Sequence, residues 1–148
     1  ASRFAHEIPL NAGVVNSDVA RSGCLPGLGA FSSARAMCVL LGAAARGELG
    51  ALSAISLEAG VEISAVYGER VWCRGLQKYA CAGGTEPHVL GLHSFCGSFA
   101  FLCPRSGVSV TILLNDAQLD YSATRRILDV VTHELALGQI DFLGGGLF

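Results

Sequence analysis

Charge is what this sequence has least of. Only 15% of its 148 residues are Asp, Glu, Lys or Arg, against about 25% in an ordinary soluble domain. Twelve acidic residues face ten basic ones, for a net charge of −2. Lys78 is the only lysine, and the arginines form no basic run. A nucleic-acid partner is therefore not expected, because such surfaces are clustered and basic. Long apolar runs are missing as well. The longest stretch without a charged residue, Pro87 to Pro104, contains His88, His93, two serines and two glycines, and Ala36 to Ala45 is apolar but short. A membrane-spanning helix needs about 20 apolar residues, so no transmembrane segment is read. The N-terminus lacks a basic stretch followed by an apolar core, so no secretory signal is read, and a start at Ala1 fits a processed or truncated chain. No C-x-x-C pair occurs, and none of the four histidines lies near a cysteine pair, so neither zinc nor another metal is expected.

What is abundant is apolar. Hydrophobic residues make up 51% of the chain, and 19 glycines raise the apolar share to roughly 64%, against about 45–50% in typical domains. Composition of this kind excludes a disordered segment. One domain of this length buries about 68–70% of its unfolded surface. With so few charges to solvate the remainder, we expect a partner chain to cover some of it. The six cysteines (Cys24, Cys38, Cys73, Cys81, Cys96, Cys103) could form three disulfides by number. Several sit inside apolar runs such as Met37-Cys38-Val39 and Leu102-Cys103, which favours reduced core cysteines in a reducing intracellular compartment.

The spacing predicts an α+β domain. Residues 1–30 carry many breakers (Pro9, Gly13, Gly23, Pro26-Gly27) and read as an irregular segment. Ser32 or Ser33 caps a helix whose apolar face is Met37, Leu40, Leu41 and Ala44, closed by Gly47 and Gly50. A short second helix is expected over residues 51–60. Strands follow: Arg70 to Tyr79, ending in a Gly83-Gly84 turn, then Val89 to Phe95, Ser98 to Cys103 and Val108 to Leu114. Pro104-Arg-Ser-Gly107 makes a hairpin of the last two. Alternation of Ser109 and Thr111 with Val108, Val110 and Ile112 gives the final strand a more polar face. Asp120 or Ser122 opens a closing helix with Ile127, Val130, Val131 and Leu135 as its buried stripe and Gly138 as its C′ residue. The domain is placed at 31–138, with 139–148 as a flexible tail around Gly144–Gly146. An antiparallel sheet flanked by helices is the implied architecture.

Three stretches, in order and spacing, resemble the C-terminal half of the serine β-lactamase and penicillin-binding-protein-like hydrolases, closest to class C-like esterases and β-lactamase-related proteins. Pro26 to Met37 is similar to a glycine-containing loop entering an S-A-R-A-type helix. Trp72-Cys-Arg-Gly-Leu-Gln77, Leu90-Gly-Leu-His-Ser94 and Gly97-Ser-Phe-Ala-Phe101 resemble the W-G-L-G, G-H-S-G and G-G-S strands. Gly107 to Asn115 and Ala123 to Leu128 resemble the last strand and the closing helix. The family attacks acyl groups with the serine of S-x-x-K, assisted by Tyr-x-Asn or Ser-x-Asn, beside a K-T-G or H-S-G strand that contributes to the oxyanion hole.

The chain lacks S-x-x-K, since Gly75 stands three residues before Lys78, and no tyrosine has an Asn two residues on. Ser32-Ser-Ala-Arg35 and Ser122-Ala-Thr-Arg125 offer an arginine, which cannot act as a base, and both read as helix caps. His93-Ser94 matches H-S-G except that Phe95 replaces the glycine, and the spacing through Cys96 to the next motif is one residue short. His93, Ser94 and Cys96 are thus vestigial site-lining candidates, with a packed or interface-facing pair as the plainer reading. His133-Glu134 is not H-E-x-x-H and reads as a solvated helix face. Glu86-Pro87-His88 reads as a surface turn, and Trp72 as core or interface. The glycine clusters fit no nucleotide loop, and no cofactor is expected. The resemblance implies a non-catalytic, structural or interaction subunit of a hetero-oligomeric assembly, in which another protein chain could supply the complementary half. The alternative is one half of a divided serine hydrolase whose nucleophile lies on that other chain. β-Lactamase-related proteins occur in mitochondria, which makes a mitochondrial location the analogy's suggestion.

Overall fold

A computed structural model describes residues 13, 16–23, 31–49, 71–73, 76–94, 97–115 and 120–141. The helix expected over 51–60, Phe95, Cys96, the Trp72 side chain and the Gly144–Gly146 tail lie outside the described residues. The chain divides into two compact units, Ala1–Ser32 and Ser33–Phe148. Within the first, the expectation of wholly irregular structure is corrected by α1 (Asp18–Ser22), a single turn whose N-terminus is capped when Ser17 Oγ accepts the Ala20 N–H at 3.2 Å. The Arg21 guanidinium lies 5.3 Å from the centre of the Phe31 ring.

The second unit is an α+β structure built on an antiparallel meander. Its strands are β1 (Trp72–Cys73), β2 (Leu76–Ala82), β3 (His88–His93), β4 (Phe99–Leu102), β5 (Ser109–Ile112) and β6 (Gln139–Ile140). They lie in the order β1-β2-β3-β4-β5, and β6 pairs with β2. The single strand expected from Arg70 to Tyr79 is therefore two strands, antiparallel to each other with Cys73 opposite Leu76. The tail expected from residue 139 also gives way at its start. Ile140 sits opposite Cys81 and is buried in the core.

β4 lies mid-sheet and is buried on both faces, as a continuous Phe-Ala-Phe-Leu run requires. One face carries Tyr79, Val89, Phe99, Phe101, Cys103 and Ile112, covered by Tyr121, Leu128, Leu137 and Ile140. The other carries Leu90, Ala100 and Leu102 under α2 (Ala34–Ala45), through Leu41 with Met37, Ala44 and Ala45. α3 (Ser122–Glu134) thus lies on the opposite face from α2. Ser33 is the α2 cap, its Oγ accepting the Ala36 N–H at 3.1 Å. The face of β5 read as more polar lies under α2, where Ser109 Oγ donates to the Cys38 carbonyl at 2.9 Å.

Two helix faces depart from the spacing-based expectation. Leu40 of α2 is 49% exposed. In α3 the correction is larger, because the stripe facing the sheet is Thr124, Leu128 and Thr132. Ile127, Val130 and Leu135 point outward, with Val130 63% exposed. The threonines can face the core because their hydroxyls are satisfied. Thr124 Oγ1 donates to the Gly97 carbonyl at 2.5 Å, and Thr132 Oγ1 to the Leu128 carbonyl one turn back.

The end of α3 is also not where Gly138 was expected to place it. Ala136 takes the left-handed C′ position (φ 51°), with Leu137 N–H donating to Thr132 O and Ala136 N–H to His133 O. Gly138 is needed for a different reason. A Cβ there would sit 2.4 Å from the Ala82 carbonyl oxygen, and one on Gly84 would sit 2.0 Å from the Leu137 backbone. The β2–β3 turn and the segment leaving α3 cross backbone to backbone, which only glycines allow.

Candidate functional site

The His93-Ser94 pair sits at the end of β3. Successive strand residues point to opposite faces, and the two side chains find different partners. His93 lies on the aromatic face, opposite Phe99 and half-buried. Its Nδ1 is 2.7 Å from the Tyr79 hydroxyl. Tyr79 also donates to Gln77 Oε1 at 3.2 Å. A phenol has one proton, so the Tyr79 hydroxyl donates to one of these two partners at a time. The Tyr79 ring meets His93 and Phe99 edge-on, with centroids 6.0 and 5.0 Å apart. Gln77 and Tyr79 are both buried, so this polar chain is enclosed within the sheet's packing.

Ser94 instead closes the β3–β4 hairpin. Its Oγ accepts the Ser98 N–H at 3.1 Å, its N–H donates to Ser98 O at 2.7 Å, and its carbonyl accepts the Gly97 N–H. Ser98 Oγ in turn accepts the Leu114 N–H at 2.9 Å. Gly97 has φ 90°, and its carbonyl is held by Thr124 of α3. An activated serine needs a base within hydrogen-bond reach. Here Ser94 Oγ meets a backbone amide and His93 Nδ1 meets a phenol. Cys96, the third candidate, lies outside the described residues.

A residue read as part of a surface turn belongs to the interior. Glu86 is 2% exposed, which corrects that reading. Its Oε1 accepts the Ser106 N–H at 2.7 Å, linking the β2–β3 turn to the β4–β5 turn, and its Oε2 is buried without a hydrogen-bond partner. Nearby, burial pushes the Cys81 and Cys103 thiols up to about 11, and the negative charge of Glu86 adds to both shifts. Cys38, Cys81 and Cys103 are free thiols. No signal in the sequence marks Glu86 as buried, since its contacts come from a turn 20 residues away.

His133 and Glu134 are both exposed. His133 and Asp129, one helical turn apart, line an open cleft of about 820 Å³ against Gly83, Gly84, Gly138 and Gln139. Among the described residues, no three His, Cys, Asp or Glu side chains are grouped to hold a metal ion, and no helix is long and apolar enough to cross a membrane. No family model, curated protein or solved structure matches the chain.

Proposed function

We propose that this chain is a non-catalytic, β-lactamase-related interaction subunit whose α2 surface is covered by another protein chain. The observation that carries the reading is the outward face of α2. Leu41 is buried against the sheet, yet Val39 and Leu40, on the far side, are 63% and 49% exposed. No charged residue separates Arg35 from Arg46 along that helix. Adjacent exposed aliphatics without intervening charge are what a protein interface covers. The bonding of His93 and Ser94 supports the non-catalytic part, because each side chain is engaged in holding the hairpin or the sheet. So does the sequence, in which no serine stands three residues before Lys78.

Native mass spectrometry of the chain purified from its source, with sequencing of its companions, tests this reading. A stoichiometric complex with other chains is expected, and Val39→Asp should release them. A companion bearing S-x-x-K, with serine-probe labelling and ester hydrolysis in the complex, would establish the divided-hydrolase alternative instead. Recovery of the chain free of every other protein would overturn the partner.

A further inference from the structure

The charges of α3 run against its own dipole. A helix N-terminus carries partial positive charge and its C-terminus partial negative charge. Inside α3, Arg125 and Arg126 stand near the N-terminus, while Asp129 and the final residue, Glu134, stand toward the C-terminus. Asp120 precedes the helix and accepts the Ser122 N–H, and His133 lies in the last turn. The four formally charged residues within the helix nonetheless have the unfavourable order. Between the two pairs, the outward face presents Val130 and Ile127, 63% and 38% exposed.

We propose that α3 is a self-association surface, on which two copies of this chain pair helix to helix in antiparallel fashion about Val130. Arg126 and Glu134 each lie four residues from Val130, about 6 Å along the axis at 1.5 Å per residue. A twofold axis at Val130 therefore brings Arg126 of one copy level with Glu134 of the other, twice. Each arginine then also approaches the negative end of the facing helix, and each glutamate its positive end. The charge order that is unfavourable in one helix becomes complementary between two. Both valines meet at the centre, and Ile127 flanks them. One face of a 13-residue helix is smaller than a standard interface, so the pairing is weak and concentration-dependent. The surface is distinct from the α2 face, and the inference does not rest on the proposed function.

Sedimentation equilibrium of the full chain, across a wide concentration range, tests the pairing. A monomer–dimer equilibrium that weakens with added salt is expected. Val130→Asp should weaken it at least about tenfold. Arg126→Glu and Glu134→Arg should each weaken it several-fold while leaving the helix as stable or slightly more so, since each corrects the charge order against the dipole. Circular dichroism melts of the same variants thus separate lost pairing from lost folding. The double variant R126E/E134R should restore dimerisation. A monomer at every concentration, a dimer indifferent to Val130→Asp, or a double variant no better than the single ones would each overturn the proposal.

Discussion

α2 and α3 cover opposite faces of one sheet, and they hold to it by different means. α2 presents a hydrocarbon surface, Met37, Leu41, Ala44 and Ala45, to Leu90, Ala100 and Leu102. α3 presents Leu128 between two threonines, and one of those threonines is bonded to the β3–β4 hairpin. Each helix adds a directed hydrogen bond to its burial, but on α2 the bond falls on a carbonyl inside the helix, at Cys38, and from α3 it runs to a carbonyl of a turn, at Gly97. Burial is tolerant of small shifts, whereas a bond from Thr124 to a single carbonyl fixes α3 to the turn that carries His93 and Ser94.

The contrast is tested most strongly at the two central leucines. Leu41→Ala and Leu128→Ala should each cost about 2–5 kcal/mol in denaturant unfolding, because both side chains are buried. Leu40→Ala and Val130→Ala, on the outward faces, should stay within about 0.5 kcal/mol in dilute solution. If Val130→Ala matched Leu128→Ala in cost, the orientation of α3 described above would be wrong.

That orientation is also where the sequence was least readable. In α2 the apolar repeat identified the buried side at Met37, Leu41 and Ala44 and erred only at Leu40. In α3 the same repeat selected Ile127, Val130, Val131 and Leu135, of which Val131 is half-buried and the other three face outward. Periodicity reports where apolar side chains lie on a helix and cannot report which surface covers them. A threonine counts as polar in such a pattern, yet Thr124 is fully buried, its hydroxyl donating to the Gly97 carbonyl. The α+β class and the run from β3 through β5 to α3 were legible, because Gly83-Gly84, Pro104–Gly107 and the uninterrupted Phe99–Leu102 run are local signals. The surroundings of His93 were not. Its phenol partner is 14 residues away on a neighbouring strand, and only the β2–β3 register brings the two together. Glu86 was hidden for the same reason.

The hydrogen bond is the next test. Thr124→Val keeps the shape but leaves the Gly97 carbonyl without its donor, and should cost about 1–3 kcal/mol. Ser109→Ala removes the corresponding contact to α2, where the bond falls on a helix carbonyl, Cys38 O, and should cost about 1 kcal/mol or less. Equal losses would mean that the two helices are attached alike.

A pH-dependent difference should be confined to the face under α3, where Cys81 and Cys103 lie. Both folded-state thiols are raised from the ordinary value near 9 to about 11. The folded protein therefore keeps these protons where the unfolded chain releases them. Their contribution is fully present below about pH 9 and is lost as the pH rises toward 11. Urea midpoints of the native protein should fall over that window more steeply than those of a Cys81→Ala, Cys103→Ala double variant. Parallel pH curves would show that the thiols are not held protonated by the fold.

The smallest expected effect comes from the helix ends, which share one motif built on different residues. After α2, Glu48 N–H donates to Ala43 O and Gly47 N–H to Ala44 O, with Gly47 at φ 72°. After α3 the equivalent position is Ala136 at φ 51°. A left-handed alanine carries a steric cost of about 1 kcal/mol that glycine avoids, while glycine gives up roughly half of that through a freer unfolded chain. Gly47→Ala should therefore destabilise by about 0.5 kcal/mol, and Ala136→Gly should stabilise by about as much. The difference between the two ends has a physical source. The chain leaving α3 is held by Thr85, whose N–H and hydroxyl both donate to the Ala136 carbonyl, and by the backbone crossing of Gly84 and Gly138. Those contacts fix Ala136 in a conformation it would not adopt alone, so Thr85→Val, which removes the hydroxyl donor, should enlarge the gain from Ala136→Gly. If Ala136→Gly gained the same with and without the Thr85 hydroxyl, the left-handed alanine would be held by the helix end itself and not by the turn it meets.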